Sequence, residues 1–388
     1  MTNLLDISCV ETWGFLNVET QYATLGNEYL ELLLTAKNMG QLMKSKTFRS
    51  LFENASIIEM PKDLSISQYS KLWMIYAMLS SGYLFSTHEE VLNVLPKSLA
   101  VPLYKLSQML GVPPILNYYG HGLSNFRVLP GGGNYNDPTS YEPLYTFSSQ
   151  ADDEYEAEKW FLTIHIAIER SLGPVVAQLG SSQRDLINDG QSTELANFLK
   201  ELSRSIVEVT AIISRMPEKL SPNTFTSTIR KYLSSFNGVV FEGVSEFKGE
   251  PQYFGGVSAG QSPSFQAIDA FLGINNESSY RGDLEKHMPA GHRKYIDQLK
   301  RGKNLKIFSE QNNNLKNIYN GVVKHLINFR NQHRHMAGLY LSRNSLEIGT
   351  GNTSFQIFLR SCIANSKSAM IQPDEIDKET GLKNDNNN

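Results

Sequence analysis

The stretch FRNQHRHMAGLYL, residues 329–341, holds two histidines two positions apart within a helical pattern. Apolar residues leading into and through it recur every three or four positions, which is the spacing of one helix face. These residues are Leu315, Ile318, Val322, Leu326, Phe329, Met336 and Tyr340. His333 falls within this apolar stripe, whereas His335 lies about 200° away around the helix, beside Arg334. The pattern predicts that His335 is exposed to solvent and that His333 faces the interior.

Two interpretations of His333 remain open on these residues alone. A core histidine needs a partner for each ring nitrogen, and a histidine bonded to a carbonyl or a carboxylate is the commoner case. An imidazole on a helix is also a common axial ligand of haem iron. Arg330 lies one turn earlier, where a guanidinium can reach a carboxylate such as a haem propionate.

A second histidine of interest lies in WFLTIHIAIER, residues 160–170. His165 shares a helix face with the apolar residues Phe161, Ile168 and Leu172. A polar residue on a buried face is either a satisfied core residue or a group that faces a ligand, and both interpretations remain open here.

Helical periodicity also dominates the rest of the chain. There are no internal repeats and no run of alternating strands, so the predicted class is mainly α. A stretch rich in Gly, Pro, Asn and Asp, RVLPGGGNYNDPTSYEP (127–143), indicates a loop or an interdomain linker. The clearest predicted helices are YLELLLTAKNMGQLMKSKTF (29–48), YSKLWMIYAMLSSGYLF (69–85), VPLYKLSQMLG (101–111) and SPNTFTSTIRKYLSSF (221–236).

The composition excludes several classes of protein. The 388 residues carry a net charge of -3 with 19% charged and 10% aromatic residues, which is typical of a folded globular protein. No basic cluster indicates nucleic acid or a membrane surface, and no leader or membrane-spanning segment is predicted. The two cysteines, Cys9 and Cys362, are far apart, which favours a reducing, cytoplasmic location over a disulfide framework. P-loop and HExxH motifs are absent from the sequence.

Six segments of the chain, taken in order and with their spacings, resemble indoleamine 2,3-dioxygenase. The similarity runs from about residue 110 to residue 360. The wider superfamily includes tryptophan 2,3-dioxygenase and the pyrrolnitrin-pathway enzyme that rearranges 7-chlorotryptophan. The segments are PPILNYY (113–119), FTSTIRKYL (225–233), GGVSAGQSPSFQAIDAFLGI (255–274), KHMPAGHRKYI (286–296), LINFRNQH (326–333) and GTGNTSFQIFL (349–359).

The resemblance implies a two-domain, mainly α fold in which the larger domain holds haem b. It makes His333 the proximal iron ligand and places Arg330 near a haem propionate. With the linker composition, it divides the chain into four parts. These are a small N-terminal helical domain (1–128), a linker (129–145), a large haem-binding domain (146–365) and a disordered tail (366–388).

The resemblance also implies a substrate pocket on the distal side of the haem. Phe225 packs on the indole, and Arg230, five residues later, binds the substrate carboxylate, as a planar guanidinium does well. The resemblance implies further pocket residues. They are Phe161 as a second aromatic, Tyr118 as a pocket tyrosine, Ser258 and Ala259 in the loop that lines both haem and substrate, and Gly349, Thr350 and Gly351 in a loop that closes over the amino-acid group.

Two residues depart from the family pattern. His165 falls where the mammalian indoleamine enzyme has a serine, while tryptophan 2,3-dioxygenase has a distal histidine close to the indole N–H. His165 is therefore expected to accept a hydrogen bond from that N–H and to tune or orient the substrate. His121 falls where a family member has a small pocket cysteine, and it is expected to reshape the inner end of the indole site.

The implied activity is a haem-dependent dioxygenase that uses O2 and tryptophan, or a related indole, and forms N-formylkynurenine. One alternative is a related haem enzyme acting on a substituted tryptophan. The other is a haem-binding or sensing protein with little turnover. The sequence does not indicate an oligomeric state.

Overall fold

The computed structural model describes residues 12–131, 133–187, 190, 192–275, 279–341 and 355–372. Helices dominate these residues, which confirms the predicted mainly α class, and none of them is long and apolar enough to cross a membrane. The helices are α1 (Leu30–Lys37), α2 (Met39–Lys44), α3 (Ser50–Glu53), α4 (Ile66–Phe85), α5 (Lys97–Leu110), α6 (Glu154–Ser181), α7 (Ser192–Ser214), α8 (Pro222–Thr224), α9 (Arg230–Tyr232), α10 (Pro263–Leu272), α11 (Ser279–Lys286), α12 (Ala290–Arg301), α13 (Leu305–Glu310), α14 (Asn313–Leu341) and α15 (Phe355–Ala369). The strands are β1 (Val94–Leu95), β2 (Arg127–Val128), β3 (Tyr141–Glu142), β4 (Phe236–Phe241) and β5 (Gln252–Phe254).

Helix α14 carries the apolar stripe that contains His333. The side-chain oxygen of Asn312 accepts the backbone N–H groups of Asn314 at 2.9 Å and Leu315 at 3.1 Å, which caps the start of the helix. Most of the stripe is buried against α7 and α15, and each buried Leu or Val contributes about 1.5–3 kcal/mol. His335 is exposed, as predicted.

The predicted helix over 221–236 is only partly correct. Ser221 caps its start by accepting the N–H of Thr224 at 3.0 Å, but the helical backbone ends at Tyr232 and the chain enters β4. β4 runs parallel to β1 and antiparallel to β5, with a bulge at Gly238, whose φ of +78° suits glycine. The β-branched pair after Gly238 favours a strand, and the pairing with the distant β1 and with the following β5 was not visible in the helical pattern.

One continuous cluster of buried apolar residues runs through the described chain, from Phe15 to Ile371. It includes residues from both sides of the predicted domain boundary, and the division at 128 and 145 stays a prediction. The predicted start of the tail at 366 is too early, because α15 continues to Ala369. Beyond it, the buried Ile371 donates its backbone N–H to the Asn320 side-chain oxygen at 2.8 Å.

The core contains a histidine with no polar partner. His292 is fully buried, and neither ring nitrogen forms a hydrogen bond with any described residue. Its ring instead packs between Phe15, at 4.7 Å between centroids, and Tyr119, at 5.7 Å. Burial, with the nearby Arg293, lowers the pKa of His292 to about 3, so the ring is neutral in the folded protein.

His292 should make the folded state sensitive to acid. The unfolded chain takes up a proton near pH 6.5, whereas folded His292 does not until about pH 3. Its contribution to stability is therefore complete above pH 6.5 and is lost as the pH falls from 6.5 toward 3. We expect His292→Phe to reduce the slope of unfolding free energy against pH by up to about 1.4 kcal/mol per pH unit between pH 4 and 6.

Urea denaturation of haem-loaded wild type and variant at a series of pH values measures this slope. The pH response of the haem is common to both proteins and cancels in the difference. If the curves of unfolding free energy against pH were parallel for the two proteins, His292 would not titrate as its burial requires.

Candidate active site

A cavity of about 180 Å3 opens between α6, α14 and α15, beside the loop that precedes α10. Its walls are mostly apolar, and a smaller hollow of about 80 Å3 adjoins it. His165 and His333 line both spaces, as do Tyr118 and Ala259. Concave, mainly apolar sites with a few convergent polar groups are the usual form of a ligand pocket.

His333 lies on the α14 wall of both hollows and is half-buried. Burial is the main reason that its pKa falls to about 4, with smaller effects from His165 and Arg330. The ring is therefore neutral at physiological pH and keeps a lone pair, as an iron ligand requires. Among the described residues, no carbonyl or carboxylate forms a hydrogen bond with it. These observations favour the ligand interpretation over a satisfied core histidine, and the residues present fit a haem.

Arg330, one turn before His333, is buried and already paired. Its guanidinium donates to Asp269 on α10 at 2.5 Å, to the Cys362 carbonyl at 3.1 Å and to the Ser366 hydroxyl. It thus joins α14 to α10 and α15. The structure supplies a carboxylate from the protein itself, and a contact between Arg330 and a haem propionate stays a prediction.

His165 presents a hydrogen-bond acceptor to the cavity. Its Nδ1 lies 2.7 Å from the carbonyl oxygen of Phe161, one turn earlier in α6. A carbonyl oxygen can only accept, so Nδ1 carries the proton and Nε2 carries the lone pair. Burial lowers the pKa of His165, an effect that the bond to Phe161 partly offsets, so the ring stays neutral.

Tyr118 contributes its ring to the cavity and turns its hydroxyl away. The hydroxyl donates to the buried carboxyl of Glu169 at 3.1 Å, and the hydroxyls of Ser262, at 2.5 Å, and Ser264 donate to the same group. Burial raises the pKa of Glu169, and the three donors offset this in part. Glu169 was not predicted from the sequence, although an acid one turn after His165 on an apolar helix face was a usable signal. The Glu169 network fixes the positions of three parts of the cavity wall.

Aromatic rings cover one side of the cavity. Phe161 lies 5.3 Å from Phe225, and Phe225 lies 5.7 Å from Tyr340. A π-helical turn over Phe225–Ile229 follows α8, and the backbone N–H of Arg230 bonds to the Phe225 carbonyl across it. π-Helical turns are frequent at functional sites.

Arg230 lies on α9 beside this wall and is half-buried, but it is not among the residues that line the cavity. Burial lowers the pKa of Arg230, and the guanidinium remains charged. Its contact with a substrate carboxylate stays a prediction.

The loop before α10 is held by its own side chains. The Ser258 hydroxyl accepts the N–H of Gly260 at 3.2 Å, and the Gln261 side chain accepts the N–H of Tyr118 at 2.9 Å and donates to the Gly256 carbonyl at 2.8 Å. Ser258 and Ala259 line the cavity, and their contact with haem and substrate stays a prediction. The predicted loop residues Gly349, Thr350 and Gly351 lie outside the described residues.

His121 occupies the π-helical turn Tyr119–Leu123, next to Tyr118. It is 4% exposed and lines the cavity, with its ring 6.1 Å from that of Phe161. Burial, with a smaller effect from His165, lowers its pKa to about 3. The structure therefore brings His121, His165 and His333 to one cavity, all three neutral.

The sequence was compared with known proteins. The family model of indoleamine 2,3-dioxygenase matches residues 4–378. Indoleamine 2,3-dioxygenase 1 of Rattus norvegicus is 26% identical over 385 residues, covering 89% of this chain and 91% of the relative. An indoleamine 2,3-dioxygenase of Penicillium citrinum is 24% identical over 388 residues, covering 92% and 87%. A myoglobin of Haliotis madaka is 24% identical over 324 residues, covering 79% and 80%.

Proposed function

This chain belongs to the indoleamine 2,3-dioxygenase family, and we propose that it adds both atoms of O2 across the indole C2–C3 bond of L-tryptophan to give N-formylkynurenine. Members of this family are haem dioxygenases that act on indoles, so the chain is a haem-dependent oxidoreductase. The observation that carries the choice of substrate is the unprotonated Nε2 of His165 in an otherwise apolar, aromatic cavity. An indole offers one N–H donor and a flat apolar surface. The donor matches the Nε2 acceptor of His165, and the surface matches the aromatic walls of the cavity.

Haem, when bound on His333, supplies the oxygen chemistry. The indole ring packs against Phe161 and Phe225, whose rings offer apolar faces in the cavity. Nε2 of His165 accepts the indole N–H and fixes the rotation of the ring. Arg230 binds the substrate carboxylate. The protein thus holds the C2–C3 bond in place and excludes water, and orientation of this kind accounts for much of the rate gain in bound reactions.

The acceptor on His165 predicts discrimination against N-methylated indoles. A methyl group on N1 removes the donor and places carbon against the Nε2 lone pair. We expect wild-type kcat/KM for 1-methyl-L-tryptophan to be about 100-fold below that for L-tryptophan. His165→Ser shortens the side chain and should narrow the difference to less than about 10-fold. Steady-state assays with both substrates measure this, with exposed His335→Ser on α14 as the matched control. Equal turnover of both substrates by the wild type would contradict the orientation proposed here.

The direct test of function uses reduced, haem-loaded protein, L-tryptophan and O2. Mass spectrometry should detect a product heavier by two oxygen atoms, and 18O2 should label both. Accumulation over many turnovers supports the proposal. Unchanged tryptophan in the presence of bound haem would overturn the substrate, and substituted tryptophans, including the 7-chloro compound, would then be tried.

A second candidate function is a haem protein that holds O2 with little turnover. The match to the Haliotis madaka myoglobin over 79% of this chain favours testing it. The two candidates differ in the fate of the ferrous oxygen complex. If tryptophan accelerates its decay and product appears, the protein is a dioxygenase. A complex that decays at the same rate with and without indole would favour oxygen holding.

A further inference from the structure

His121 is a buried polar group that the protein itself does not satisfy. None of the described residues forms a hydrogen bond with either of its ring nitrogens, and the ring lines the cavity. His292 is equally buried and unpartnered, but it lies between Phe15 and Tyr119 and does not line the cavity. A buried histidine without a partner is costly, so one that faces a ligand cavity points to a complementary group on the ligand.

The position of His121 indicates which part of a bound indole it meets. The Phe161 ring contacts both the ring of His121, at 6.1 Å between centroids, and that of Phe225, at 5.3 Å. Arg230 is joined to Phe225 through the π-helical turn. A tryptophan whose carboxylate lies toward Arg230 thus extends its benzo ring past Phe161 toward His121.

The ring contacts of His165 indicate the same orientation. His165 and His121 both contact the Phe161 ring, at 4.6 Å and 6.1 Å between centroids, and His165 lines the cavity together with His333. With the indole N–H on His165 and the C2–C3 bond toward the His333 side, the benzo ring is the part left for His121. The walls near it offer mainly carbon atoms, because the Tyr118 hydroxyl is bonded to Glu169.

We propose that His121 forms a hydrogen-bonding subsite at the inner end of the cavity, which selects indoles that carry a hydroxyl group on the benzo ring. This rests on the proposed function. A neutral imidazole has one donor and one acceptor, and a hydroxyl group matches either of them. A bare or halogenated ring leaves the imidazole without a partner, whereas a site built for a hydroxyl discriminates strongly against analogues that lack it.

The first experiment uses haem-loaded wild-type protein. Each hydroxytryptophan isomer is compared with the fluorotryptophan substituted at the same carbon, which has a similar size and bonds weakly. Calorimetry on the ferric protein gives Kd, and steady-state assays give kcat/KM. We expect at least one ring position at which the hydroxyl compound is favoured about 10-fold in both quantities.

Variants then assign the preference to His121. His121→Phe should abolish the preference for the hydroxyl compound over the fluoro compound, and His121→Gln, which keeps a donor and an acceptor, should retain part of it. His292→Phe is the matched control, since it removes an equally buried, unpartnered histidine outside the cavity, and it should leave the hydroxyl-to-fluoro ratio unchanged.

The outcomes distinguish a failure of this subsite from a failure of the proposed function. Oxidation of tryptophan with no hydroxyl preference at any ring position overturns the subsite alone. So does a preference that survives in His121→Phe. If no tryptophan, substituted or bare, is bound or oxidised, the proposed function fails and the subsite fails with it.

Discussion

Protein carrying His333→Ala is expected to fold but to be purified without haem, with an affinity for haem at least about 100-fold below that of the wild type. His333 is the neutral, half-buried imidazole that lines both hollows from α14. Among the described residues, no cluster of three or more His, Cys, Asp or Glu side chains could hold a metal instead. Haem titration followed by absorbance measures the loss, and circular dichroism checks the fold.

His335→Ala is the matched control for this prediction. It removes a histidine two residues away on the same helix, on the exposed face. Its haem affinity should equal that of the wild type. Added imidazole should partly restore the absorbance spectrum of His333→Ala, since a free imidazole can enter the space left by the side chain. Retention of haem with an unchanged spectrum would remove His333 from the ligand role.

Arg230→Ala should raise KM for L-tryptophan about 100-fold while haem content stays at the wild-type level. Truncating one partner of a desolvated charge pair removes a charge-assisted, bidentate contact and leaves the other charge without a partner. Half-burial of Arg230 beside the aromatic wall makes such a contact stronger than one at the surface. Steady-state kinetics and the haem absorbance give both quantities.

Tryptamine, which lacks the carboxylate, shows whether the effect acts through that group. The variant should lose most of the wild-type preference for tryptophan over tryptamine, because the contact that separates the two substrates is gone. Lys231→Ala, which removes the adjacent exposed cation, should preserve the preference. If Arg230→Ala weakened both substrates equally, its role would be structural.

The sequence predicted the parts of this protein that depend on local periodicity. The α14 stripe, the exposed His335 and the inward position of His333 follow from residues three or four apart. β4 was missed because its stability comes from pairing with β5, the strand that follows it, and with β1, which lies far earlier in the chain. No local pattern encodes such pairing.

The hydrogen-bond partners of the cavity side chains could not be predicted from the sequence either. Nothing in the segment around Tyr118 indicates that its hydroxyl turns to Glu169, because the two residues lie 51 positions apart. The same holds for Arg330, which was expected to reach a carboxylate and does so on Asp269, 61 positions away. Several residues that the resemblance suggested line the cavity, among them Tyr118, His165 and His333, and the structure shows which of their polar atoms are already hydrogen-bonded.

The pairing of Arg330 has a consequence for the order in which the protein assembles. Its guanidinium contacts α10 and α15, and α15 supplies Phe358 and Leu359 to the walls of both hollows. α15 must therefore be docked before the cavity is complete. Because a ligand stabilises the state that binds it, haem bound in this cavity would favour the docked position of α15, and docked α15 would in turn favour haem binding. A chain in which α15 has not yet docked should hold haem more weakly than the complete fold.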